Sequence, residues 1–135
     1  MATTPSFVSS PKIGIGTCTV AEVVRSGSPT NTVLVYTAGA SGSRIDRIDV
    51  MDSTANGETC SVNTVSLWLY TGAAYYLFRE VAMLTPPTPN AGVAGFQTSL
   101  TFPFGLNLQS GYSLRASIRV SASDSVNVIA YGGDL

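Results

Sequence analysis

Three aspartates set three residues apart are the first group in this chain that could do chemistry. Asp46, Asp49 and Asp52 recur beside Arg44 and Arg47, and clustered carboxylate oxygens are what a calcium ion takes. On a strand, however, residues three apart alternate faces, so Asp49 points away from Asp46 and Asp52. The string also lacks the spacing and central glycine of an EF-hand loop. Ion pairs with the two arginines, solvated or between subunits, are the expectation. Glu22 and Glu80 invite comparison with the paired carboxylates of a glycosidase, but nothing in the sequence fixes their separation. Ile13-Gly-Ile-Gly16 lacks the third glycine, the preceding strand and the following helix of a dinucleotide fingerprint. Cys18 and Cys60 read as reduced, strand-borne small hydrophobes, with a disulfide between adjacent strands as the alternative. Histidine is absent, which removes the usual general base, the Ser/His and Cys/His nucleophile pairs and most zinc and copper sites. No catalytic residue, metal ligand or cofactor is therefore assigned, and no enzyme is expected.

A different chemistry is available to the aromatic and basic residues. Trp68, Tyr70, Tyr75 and Tyr76 cluster around one predicted hairpin. Aromatics fill sandwich cores, but they are also enriched at protein contacts. Trp68 and Tyr70 share the face opposite Val65, Leu67 and Leu69, so both faces of that strand carry large side chains. Interface anchoring is thus at least as good a reading of them as core filling. Arg115 and Arg119 lie on one strand face and suit pairing with acidic groups of a partner, unless that face is simply solvated.

The elements that must position these residues are strands. No long 3.6-residue periodicity appears, and Gly, Pro, Ser, Thr and Asn punctuate the chain every 8 to 15 residues, the pattern of an all-β sandwich or barrel. Predicted strands cover 18–25, 32–38, 43–52, 59–70, 75–84, 96–102, 112–121 and 125–131. Pro103 is expected to end the sixth. Residues 1–16 read as an extended N-terminal arm, because Pro5 and Pro11 bar regular ladders and Gly14 and Gly16 weaken any strand. Residues 17–135 then form the sandwich domain. Strands 32–38 (TVLVYTA) and 126–131 (VNVIAY), with residues 75–78 (YYLF), are apolar on both faces. In a two-layer sandwich the outer face meets water, so a second apolar face calls for another partner.

Composition narrows the partners. The 135 residues are 44% hydrophobic but only 11% charged, with net charge −1 and one lysine, Lys12, against a typical charged share of roughly 25%. Such a chain lacks the electrostatic footprint for nucleic acid. It has neither a secretory signal pattern nor a run of about 18 apolar residues, so synthesis in a cytoplasm and no membrane association are expected. So few surface charges give little protection against self-association.

From Thr37 onward the chain resembles small virion proteins of tailed bacteriophages, the jelly-roll decoration (cement) proteins that bind the outside of the capsid. Four stretches carry the likeness: residues 37–45 (TAGASGSRI), 67–77 (LWLYTGAAYYL), 103–112 (PFGLNLQSGY) and 128–135 (VIAYGGDL). Each is a strand–turn pattern rather than a catalytic signature, so no functional residue is carried over by position. The resemblance implies a non-enzymatic virion protein on the capsid exterior, oligomeric and often trimeric, that clamps the major capsid protein. It also implies an N-terminal arm reaching to a neighbour.

The combined expectation is an all-β, jelly-roll-type sandwich of about eight antiparallel strands with that arm. It would partner itself, as a homotrimer or else a dimer, and the major capsid protein. The interface candidates are Phe7, Val8 and Ile13 on the arm, and Trp68, Tyr70, Tyr75, Arg115 and Arg119 on the domain. A tail, baseplate or fibre protein is the first alternative. A carbohydrate-binding or calcium-dependent module stacking sugars on Trp68 and Tyr70 is the second.

Overall fold

The computed structural model describes residues 8–122 and 125–135; Phe7 lies outside them. The described residues form eight strands and no helix: β1 (Ser10–Cys18), β2 (Val33–Thr37), β3 (Ser43–Asp52), β4 (Asn63–Tyr70), β5 (Tyr75–Met83), β6 (Gln97–Leu108), β7 (Ser113–Ile118) and β8 (Val126–Asp134). They build two four-stranded antiparallel sheets, β1-β8-β3-β6 (sheet A) and β2-β7-β4-β5 (sheet B). β1 pairs with β8, β2 with β7, β3 with β6 and β4 with β5. The protein is an all-β sandwich.

Period-two alternation explains which residues meet between the sheets. Leu114, Ala116 and Ile118 of β7, with Val65 and Leu67 of β4, face Val126, Val128 and Ala130 of β8 and Ile45, Ile48 and Val50 of β3 in one buried cluster. In β3 the ladder slips at Asp46, where Ile45 and Arg47 take consecutive partners on β8. That bulge is why Ile45 and Ile48, three apart, both point inward. The core thins toward β5 and β6, where Phe78, Leu100, Phe102 and Leu106 pack on the cluster but stay half-buried.

Three departures from the sequence reading go beyond a shift of a few residues at a strand end. Residues 10–16 are not a free arm; they form most of β1, paired residue for residue with β8 from Ser10–Asp134 to Cys18–Val126. Pro11 is tolerated because β1 is an edge strand. Gly14 is required there, since a Cβ on it would overlap the Val35 carbonyl oxygen of β2, and one on Gly16 would lie 2.8 Å from Val35 Cγ2. The two glycines let β1 press onto β2 and close that side of the sandwich.

Residues 19–25, expected as strand, run instead into a loop. Its only ladder contact among the described residues is the bridge between Ala21 and Ile118. The cause is Glu22, whose buried carboxylate accepts the backbone N–H groups of Val24 (3.0 Å), Thr30 (2.7 Å) and Asn31 (2.7 Å) and so folds the segment back on itself. Pro103 does not end β6. The strand continues to Leu108 past an irregular stretch in which Thr101 and Leu106 pair with Arg47 and Ile45, a break on an edge strand that absorbs the missing N–H.

Candidate functional site

Two sheet faces look away from the core, and the ladder registers fix what each displays. On sheet A, Ile13 of β1 stands beside Tyr131 of β8 and Arg47 of β3; in the next row Ile15 stands beside Ile129 and Asp49. Ile13 is 59% exposed and Ile15 63% exposed. The β1–β8 half of this face is thus apolar, while the β3–β6 half is polar. There Arg47 pairs with Asp49 (3.1 Å), Ser99 donates to Asp49 (2.6 Å), and the Arg47 guanidinium sits 4.2 Å from the Tyr131 ring centroid.

The outer face of sheet B is built from Trp68 and Tyr70 of β4, Ser113, Arg115 and Ser117 of β7, and Tyr75 of β5. Trp68 stands opposite Arg115, and Tyr70 is flanked by Ser113 and Tyr75. The β1–β2 loop reaches this face. Arg25 forms a fork onto Glu80 (2.9 and 3.1 Å), and residues 25–27 line one groove with Trp68, Tyr75 and Tyr76. Trp68 is fully buried there, donating from Nε1 to Ser117 Oγ (2.9 Å) and meeting the Tyr75 ring edge-on. Glu80 also binds Arg119, so one carboxylate holds two guanidinium groups. Arg25, followed by Arg119, holds that carboxyl below the usual range.

The interface candidates are therefore distributed rather than gathered. Val8 is half-buried, close against Gly133, and Ile13 belongs to the apolar half of sheet A. Tyr70, Tyr75, Arg115 and Arg119 share the outer side of sheet B, all partly exposed. Trp68 shares that face but offers no accessible surface, and the Tyr70 and Tyr75 rings lie against each other with centroids 4.4 Å apart. Neither presents an open platform of the kind a sugar ring stacks on. Sequence reasoning missed Ile15, Ile129 and Tyr131. Their alternation in 13–15 and 129–131 was visible, but placing them side by side needs the β1–β8 pairing.

Most of the remaining carboxylates and arginines singled out from the sequence have structural partners. Arg44 pairs with Asp46 (2.8 Å) and Arg47 with Asp49, while Asp52 is buried on the inner side. The three aspartates thus do not converge, and no group of three metal-ligating side chains occurs among the described residues. Glu22 is occupied by backbone N–H groups, that of Asn31 first, which hold its carboxyl low, and Glu80 by arginines. Cys18 and Cys60 are both free thiols; burial pushes Cys18 up to about 12 and also raises Cys60. Asp134 accepts from Ser43 Oγ (2.6 Å) and, more weakly, from Tyr36 and Lys12, and so ties β8 to the β1–β2 side. No protein-family model matches the chain, and no curated protein matches it.

Proposed function

We propose that this chain is a structural contact protein of a virion: a decoration protein that assembles as a homotrimer on the exterior of a phage head and there binds the major capsid protein. The observation that carries the reading is the apolar half of sheet A's outer face, where Ile13, Ile15, Ile129 and Tyr131 stand side by side on an edge strand and its neighbour. Covering Ile13 and Ile15 would contribute about 1–2 kcal/mol each, and permanent interfaces are the more apolar kind. Low overall charge favours the same use, because a charge buried unpaired at a contact costs several kcal/mol.

The pairing of strands one with eight, two with seven, three with six and four with five supports reading the sandwich as a jelly roll. A single long hairpin rolled up on itself produces that order, and it is the winding of the family the sequence resembles. Chain made in the host cytoplasm would then meet heads there.

Heads prepared without the protein give the test. Added at micromolar concentration, the chain is expected to sediment with them and to raise their melting temperature. Chain that stays in the supernatant while the heads melt unchanged removes the reading.

A further inference from the structure

The geometry points to a carboxylate-binding site on the outer face of sheet B, formed by Arg115 and Ser113 of β7 beside Tyr70, that receives an aspartate or glutamate side chain of a protein partner. It rests on the reading of this chain as a contact protein and names the chemistry of one of its contacts.

Two of the three buried side-chain polar atoms without a hydrogen-bond partner among the described residues are Ser113 Oγ and Arg115 Nε. They sit two residues apart on β7, on the face opposite Leu114 and Ala116, so both atoms belong to one place. Ser113 is only 6% exposed. Buried polar atoms are nearly always satisfied, and two adjacent orphans mark where something polar belongs. The Arg115 guanidinium lies over two rings, 4.9 Å from the Tyr70 centroid and 5.9 Å from that of Tyr75. Cation–π contact of this kind helps to hold the guanidinium in place.

Charge says what the fork is for. Arg25, Arg115 and Arg119 lie on this side of sheet B, but the one carboxylate that pairs there, Glu80, is taken by Arg25 and Arg119. Arg115 forms no ion pair among the described residues. A planar anion reaching the fork would accept from the guanidinium and from the Ser113 hydroxyl together, the geometry in which Arg–carboxylate pairs are strongest. A sugar acid is disfavoured, because the Tyr70 and Tyr75 faces are spent on each other and on Arg115.

The test is a nitrogen–proton NMR titration of the full chain, reading the Arg115 Nε–H signal. The probes are aspartate blocked at both ends, its blocked asparagine twin and methyl glucuronide, at fixed ionic strength. The expected result is a saturating shift with blocked aspartate, at least tenfold tighter than with the asparagine twin. Ser113→Ala should weaken it threefold or more. Arg115→Lys, which keeps the charge and loses the fork, should show no saturable shift at the Ser113 amide. A shift that fails to saturate, equal response to the neutral twin, or wild-type affinity in Ser113→Ala overturns the site. Tighter binding of methyl glucuronide than of aspartate overturns the assignment to a protein side chain. A failed titration in a chain that still binds heads removes the site alone; a successful one in a chain that neither oligomerises nor binds heads supports the site and removes the wider reading.

Discussion

Glu80 and Glu22 are the acidic residues around which the β1–β2 loop is organised, and they act by different means. Glu80 gathers Arg25 from the loop and Arg119 from the end of β7, fastening the loop across the outer face of sheet B. Arg25 and Arg119 hold its carboxyl below the ordinary value of 4.5, so the native protein binds fewer protons at this group than the unfolded chain does. The stabilisation is complete above that value and is lost as pH falls through the folded one. Melting temperatures at pH 7 and pH 4 are expected to differ less in Glu80→Gln than in the wild type. Equal acid sensitivity in the two proteins would show that the pair contributes nothing. Glu22 works through backbone N–H groups instead. Glu22→Ala leaves those of Thr30 and Asn31 without their acceptor and is expected to lower stability by about 2 kcal/mol, read by urea denaturation, with faster hydrogen exchange at both amides.

At the scale of elements, the strands with strict alternation were legible from residue types alone. β3 was expected at 43–52 and lies at Ser43–Asp52; β4, β5, β7 and β8 fall within a few residues of expectation. Two of the three departures from the sequence reading share a physical cause: the cost of a proline or glycine depends on its tertiary position. Pro11 and Pro103 are on edge strands, where no neighbour needs their N–H. Gly14 is present because β2 passes too close for any side chain. Gly14→Ala is accordingly expected to destabilise by about 2–3 kcal/mol, since the obstacle is backbone, and Gly16→Ala by less, since Val35 Cγ2 can turn aside. Equal effects in denaturant unfolding would contradict this account of β1. The loop at 19–32 was illegible for another reason: VAEVV carries strand propensity, and only the distant partners of Glu22 and Arg25 override it. The site was half legible. Tyr70, Tyr75, Arg115 and Arg119 were singled out by type and do share a face, whereas the Ile15, Ile129 and Tyr131 neighbourhood depends on a pairing between the two ends of the described chain.

For the whole molecule, the shortage of charge acquires a location. Of the seven basic residues, Lys12, Arg25, Arg44, Arg47 and Arg119 are tied into ion pairs within the chain, which leaves the β1–β8 half of sheet A with almost nothing charged to keep another apolar surface away. On the proposed reading, one face takes copies of the same chain and the opposite face, with its unpaired arginine, an acidic partner. Mass measurement by light scattering after size-exclusion chromatography, at micromolar concentration, tests this most directly. The predicted result is three times the 14.0 kDa chain mass for the wild type, and the single-chain mass, with an unchanged circular dichroism spectrum, for Ile13→Glu/Ile15→Glu. A wild-type protein that elutes as a clean monomer would contradict it.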